Sequence, residues 1–435
     1  MATTYYVATP GNGGNNGNAG TSIGSPFATW EKLKDVMVAG DTAYIRGGTY
    51  TVAKSAATSV RCDLRGIAGT SGSHITISAY PGETPILDLS DVLLTVTDGY
   101  GLYTNGNYID YIGLRVTGLA QNSGGPNPGE PLWGWINENA TGITVTRCVV
   151  DNIGGQGFFE SATNGTYYLN CDVYYCSDPY SGSPYGGSNG FSATGNGNTA
   201  TNITYEGCRA WWISDDGWDF FGIDGYVTIK NCWSFWNGYI PGTFTLAGDG
   251  CGYKLGPTET NQSANLKRVL TNNLAFENRN TGFDQNNANC KMNIFNNTAY
   301  ANVSGSGFSF GYNLGTPISS SNNASLNNNS TFAGTNIQGN NNSWNGSVTI
   351  TTGDFITVSS AGVTGSRQAD GSLPNLNFLK LTAGSDLINA GINVGLPYYG
   401  SAPDIGAYEY NPSVSGVFSF NGLKSLNGIS KIIFS

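Results

Sequence analysis

The sequence predicts an all-β solenoid, a right-handed parallel β-helix. Three observations point to it. A short motif recurs as Thr146–Arg147–Cys148, Leu169–Asn170–Cys171, Glu206–Gly207–Cys208 and Lys230–Asn231–Cys232, then as Thr271–Asn272–Asn273 and Phe295–Asn296–Asn297. Each copy follows a short β-type segment: 143–145, 166–168, 203–205, 227–229, 266–268 and 292–294. The composition carries 63 Gly and only 11 % charged residues, too few for long amphipathic helices, while the 39 % hydrophobic fraction suffices for a continuous core.

The motif spacing is 23 residues from 148 to 171, and 24 from 208 to 232 and from 273 to 297. The longer gaps, 171 to 208 and 232 to 273, hold Gly/Ser/Pro-rich inserts. Such a period suits coils that stack and align equivalent positions in ladders. Cys148, Cys171, Cys208 and Cys232 then line up as free, buried thiols rather than disulfides, because bridging requires Cβ atoms that face each other.

Along the chain, residues 1–45 read as a helical cap. Phe27, Trp30, Leu33 and Met37 share one helical face, with Thr29 as its N-cap. The stretch from Gly40 to Tyr50 then reads as a strand and turn that begin the first coil. After about residue 310 the pattern loosens, with weaker coils to about 350. Residues 370–410 read as a closing segment packed along or over the last coils, which completes a lyase-sized domain of 1–410. The tail, 411–435, repeats an Asn–Gly turn between apolar runs and reads as an attachment or assembly element.

The net charge of −10, without a basic patch, argues against a nucleic-acid partner. No run of 18 apolar residues suggests a membrane span. The start, Met1 to Tyr6, lacks a signal-peptide pattern. The expectation is therefore either a mature secreted form behind a new Met or release with a phage particle. His74 is the only histidine and reads as structural, which removes His-based triads.

Three clusters carry chemistry. Asp215, Asp216 and Asp219 fall within five residues of a charge-poor chain. They read either as a solvated acidic turn or as oxygen ligands for Ca²⁺, with Asn189 at the matching place one coil earlier. Lys254 lies in a glycine-rich run from Gly248 to Gly256, either as a surface cation or on the same side of the solenoid as the aspartates. Thr281 to Asn287 offers Asp284, Gln285 and Asn286, either for sugar hydroxyls or for an internal Asn ladder. Trp211, Trp212, Trp218, Trp233 and Trp236 crowd the same stretch, split between core and sugar-stacking roles.

The ordered set Ser188–Phe191, Cys208–Asp219, Gly248–Gly256 and Thr281–Asn287 resembles polysaccharide lyase family nine, the pectate-lyase-like β-helix enzymes. The resemblance implies about ten coils, Ca²⁺ on Asn189, Asp215, Asp216 and Asp219, and Lys254 as the base. It also implies substrate contacts among Asp249, Tyr253, Asp284, Gln285, Asn286 and Trp218. The family usually has Asp at position 189, Asn at 251 and Phe at 253, so Ca²⁺ affinity and substrate choice are expected to differ. The reaction implied is β-elimination on an acidic, uronate-containing polysaccharide outside the cell, by a base of lowered pKa. Two rivals stand beside it. One is a glycoside hydrolase on the same fold. The other is a virion-borne or secreted carbohydrate-binding protein of tail-spike or adhesin type, trimeric rather than monomeric.

Overall fold

The computed structural model describes residues 2–91, 93–123, 132–311, 318–335 and 337–411. The expected attachment element lies, from Pro412 onward, outside the described residues. Three parallel sheets of 12, 10 and 10 strands run the length of the solenoid. One coil shows the plan. Ile203–Glu206 belongs to the first sheet, Arg209–Trp211 to the second and Trp218–Asp219 to the third. The next coil repeats it with Val227–Lys230, Trp233–Phe235 and Tyr253–Lys254, each in parallel register with its predecessor.

The recurring motif is the corner between the first and second sheets. Asn170, Asn231, Asn272 and Asn296 turn the chain with φ of 56°, 55°, 57° and 54°, the left-handed region that Asn tolerates. The following side chain then points inward. Cys148, Cys171, Cys208 and Cys232 are fully buried and free, and Asn273 and Asn297 continue their column. The thiol-to-amide change keeps one job constant, accepting the backbone N–H of the coil before. Cys208 Sγ accepts from Cys171 N at 3.5 Å, Asn273 Oδ1 from Cys232 N at 2.9 Å and Asn297 Oδ1 from Asn273 N at 3.0 Å.

A second Asn ladder stands at the corner between the second and third sheets, through Asn237, Asn278 and Asn302. It is not at 281–287, where Asn286 and Asn287 instead form a left-handed turn.

Immediately after this second corner a glycine–aromatic pair recurs: Gly157–Phe158, Gly190–Phe191, Gly217–Trp218, Gly252–Tyr253, Gly282–Phe283 and Gly307–Phe308. The six rings form an internal stack with centroids 4.7 to 5.2 Å apart. The glycines are where the second and third sheets meet most closely. A Cβ on Gly157 would lie 2.3 Å from Val173 Cγ2 and 2.6 Å from the Gly190 carbonyl oxygen. Gly157→Ala is therefore expected to lower stability by about 1–3 kcal/mol through overpacking. A urea midpoint equal to the parent's would contradict this packing.

The cap differs from its expectation. Phe27, Trp30, Leu33 and Met37 are all buried, but Trp30–Asp35 is one short 3₁₀ segment and the Thr29 side chain caps nothing. Six residues are too few to sustain an isolated α-helix, so packing against the end of the core decides the conformation. The first sheet also begins earlier than expected. Thr4–Val7 already pairs with Thr42–Ile45, so part of the expected cap belongs to the solenoid. His74 stands just before the strand Ile75–Ala79, with Nδ1 3.1 Å from Asp110 Oδ1.

Toward the C-terminus, Phe355, Phe378, Leu381, Leu387 and Ile405 pack on Trp211, Trp233, Phe235 and Phe276 of the second sheet. Within this closing segment Glu409 Oε1 accepts from the Asp404 N–H. Burial, reinforced by Asp404, pushes the Glu409 carboxyl from its ordinary 4.5 up to about 7. A raised carboxyl favours the protonated fold, so its contribution is complete below about pH 4.5 and lost as pH rises through 7. Glu409→Gln is expected to flatten that part of the profile of thermal midpoint against pH. An unchanged slope would remove Glu409 as its source.

Candidate active site

Strand alternation builds the site. Because Phe191, Trp218, Tyr253 and Phe283 point into the solenoid, the next residues, Ser192, Asp219, Lys254 and Asp284, point out. These four sit in register on adjacent strands, with Lys254 between Asp219 and Asp284. The turns leading into the same strands add Asp215 and Asp216 from one coil, and Asp249 and Cys251 from the next.

The two turns are tied together by charge-assisted bonds. The Asp249 N–H donates to Asp215 Oδ1 at 2.5 Å, and the Cys251 N–H donates to Asp216 Oδ1 at 2.6 Å. Glycine is required at 248, where a Cβ would fall 2.4 Å from Asp215 Oδ1. Lys254 Nζ lies 2.9 Å from Asp216 Oδ2 and 3.1 Å from Asp249 Oδ2. Asp215, Asp216 and Asp219 are buried, whereas the Asp249 side chain is 66 % exposed.

Burial sets the electrostatics. It raises Asp215, which Asp216 raises further, and it raises Asp216 against the opposing pull of Lys254. Asp219 is pushed up to about 7, first by burial. For Lys254 burial alone lowers the pKa, but Asp216, Asp219 and Asp215 outweigh it and hold the ammonium charged. The lowered lysine pKa expected from sequence is thus corrected. The three carboxylates surround Lys254 closely enough to dominate over desolvation.

The donor set suits a hard divalent cation. Carboxylate oxygens of Asp215, Asp216 and Asp249 lie within 4.8 Å of one another. Asn189 is buried and donates to Asp219 Oδ2 at 3.3 Å, while its own Oδ1 is buried without a hydrogen-bond partner. An oxygen with nothing to accept, beside carboxylates in excess of cations, is what a metal site offers before loading.

Two expected substrate contacts are corrected. Trp218 and Tyr253 are 0 % exposed, held in the internal aromatic stack, and the Tyr253 hydroxyl donates to the carbonyls of Cys232 and Leu274. Their neighbours Asp219 and Lys254 take the outward direction. The Phe-to-Tyr departure at 253 is consequently absorbed inside the solenoid. Gln285 is 1 % exposed, with its amide turned back onto the Ala288 carbonyl, so it shapes its own turn instead of reaching outward. Asp249 stands at the open side of Lys254. Asp284 and Asn286 line a shallow cavity of about 320 Å³ with Asn287 and Ser309.

Asp178 went unread in the sequence. Its carboxyl accepts from Ser181 Oγ at 2.6 Å and from the Gly187 N–H at 3.2 Å, and it lies 3.5 Å from the hydroxyl of Ser214, the residue before Asp215. Burial raises it to about 6. It ties the 178–187 insert to the aspartate turn. An Asp–Pro pair within a Gly/Ser-rich insert signals only a turn, so sequence held no cue to this role.

Residues 5–341 match the family described as Pel9A-like, right-handed β-helix region. The chain belongs to this family. Pectate lyase L of Dickeya chrysanthemi is 33 % identical over 414 residues, covering 94 % of this chain and 90 % of that protein. Pectate lyase PEL9 of Emericella nidulans is 27 % identical, covering 89 % and 94 %. Among solved structures, pectate lyase Pel9A superposes with a TM-score of 0.80 at 28 % identity, covering 94 % of this chain and 97 % of that one. A rhamnogalacturonan lyase gives 0.75 at 29 %, covering 88 % and 97 %. This family-nine member is a pectate-lyase-like polysaccharide lyase, which sets aside the hydrolase and non-catalytic readings.

Proposed function

We propose that this lyase cleaves a uronate-containing polysaccharide by Ca²⁺-dependent β-elimination, with Lys254 as the base. The observation that supports it most is the outward placement of Lys254, in register between Asp219 and Asp284 and paired with Asp216 and Asp249. Asn189, Asp215, Asp216 and Asp219 would hold the ion, with Asp249 close enough to join. Bound there, Ca²⁺ supplies Lewis-acid stabilisation for negative charge on the uronate.

The chain's own residues do the rest. Lys254 Nζ takes the C5 proton, the C5–H electrons form the C4–C5 double bond, and the C4–O bond breaks. The leaving oxygen takes a proton from water. Lys254 must start neutral, so the field of Asp215, Asp216 and Asp219 must first be offset by another cation. Metal loading and lysine deprotonation are thereby coupled. Asn189 carries one negative charge fewer than the family's aspartate, which weakens cation affinity without removing the oxygen ligand.

A chelator is expected to cut formation of unsaturated product about a hundredfold, in keeping with the several kcal/mol a bound cation supplies, and Ca²⁺ should restore it. Full activity in chelator would reject the metal. A parallel assay on polygalacturonate and rhamnogalacturonan separates the two substrates named by the relatives, since a rhamnogalacturonan lyase is as similar in sequence as a pectate lyase. A polymer of this size acts as substrate outside the cell, and we assign the lyase there.

A further inference from the structure

A second groove, of about 900 Å³, runs along the outer face of the second sheet, beside the closing segment. One wall is aromatic. Tyr174 stacks on Trp211 with centroids 4.4 Å apart, and Trp212 packs on Trp236 at 5.2 Å. The charged side chains lining it are Asp172, Arg209 and Arg367. One carboxylate between two guanidiniums leaves one positive charge uncompensated, in a chain of net charge −10. Glu277 bonds to the Trp236 indole N–H and the Ser360 hydroxyl and is not part of the lining.

The backbone adds a second observation. At the corner between the second and third sheets, successive coils hold Asn152, Tyr175, Trp212 and Trp236 at φ of 54 to 55°. Asparagine suits that left-handed geometry, whereas three consecutive bulky aromatics are strained there. Their rings form a row along the helix axis, and Tyr175 is 38 % exposed.

We propose that this groove binds a stretch of acidic polysaccharide as a second, non-catalytic site. The aromatic row takes the apolar faces of the sugar rings and the surplus guanidinium charge takes a uronate carboxylate. The polymer class rests on the lyase reading above; the site itself does not. Trp212 precedes Asp215 by three residues, so a chain held here lies one corner away from the carboxylates and raises their local substrate concentration.

The test is the double variant Tyr175→Asn, Trp236→Asn, which relieves the backbone strain while removing the platform. In native affinity gels with polygalacturonate and chelator, parent protein should be retarded and the variant several-fold less so. Thermal midpoint and turnover of a short uronate oligomer should be unchanged. Equal retardation of variant and parent overturns the site. Parent retarded equally by a neutral cellulose derivative overturns the acidic class, and no retardation of the parent at all overturns the proposal. Variant-sensitive retardation by a protein that yields no unsaturated product from any uronate polymer supports the groove and rejects the proposed chemistry instead.

Discussion

Lys254→Arg is expected to lower turnover by about 10²- to 10⁴-fold, the usual contribution of a positioned general base, while leaving the fold intact. Arginine preserves the positive charge that Asp216 and Asp249 require, at 2.9 and 3.1 Å, so the carboxylate cluster stays compensated. It cannot lose its proton in the accessible pH range, so it cannot take one from C5. Lys254→Ala should lose as much activity but behave differently in chelator, where Asp215, Asp216 and Asp219 would face one another without a counter-charge. The alanine variant should therefore depend on added Ca²⁺ for stability more than the parent or the arginine variant does. Unsaturated-product absorbance reads the first effect, and thermal midpoints with and without Ca²⁺ read the second. Arginine activity within a factor of a few of the parent would show that Lys254 acts as a charge alone, and another base would have to be sought.

The parts of the fold that sequence made legible are those where one residue type repeats at a constant corner. Cys148 through Asn297 could be aligned because each follows a short strand and a tight turn without an intervening insert. The second Asn ladder and the glycine–aromatic pairs are equally regular in space, but the inserts before them differ in length and hide the period. The 3₁₀ cap was misread because Phe27, Trp30 and Leu33 are three apart, a spacing that both helix types share.

In the site, the aspartates and Lys254 stood out because charge is scarce. Trp218 and Tyr253 were misplaced because the inward or outward sense of a two-residue strand follows from its neighbours in the sheet, not from its own sequence. The sign of the Lys254 shift was beyond reach for a similar reason. It depends on distances between coils, and desolvation and carboxylate fields oppose one another there.

Asp172→Ala is expected to cost about 3–5 kcal/mol, the loss that follows when one partner of a buried ion pair is removed. Arg209 reaches Asp172 through two bonds of 2.8 Å, and Arg367 through bonds of 2.6 and 3.1 Å. Neither guanidinium has much solvent to fall back on, since their side chains are 3 % and 12 % exposed. Both also hold the closing segment: Arg209 donates to the carbonyls of Val363 and Gly365, and Arg367 joins Gly207 and Cys171 of the coil to Gly371. Removing the carboxylate therefore loosens a contact across nearly two hundred residues of sequence, not one local pair. The arginines hold the Asp172 carboxyl down at about 2, below its ordinary 3.8, despite its burial. A lowered carboxyl stabilises the fold above the unfolded value, and that share is lost as pH falls through about 2. The alanine variant should thus be weakest relative to the parent near neutrality and converge with it in acid. Urea unfolding at both pH values checks the energy, and limited proteolysis checks the location, with new cleavage expected between residues 363 and 371. A neutral-pH loss below about 1 kcal/mol, the range of exposed pairs, would mean that solvent reaches the arginines and that apolar packing on Phe235 and Phe276 holds the segment instead.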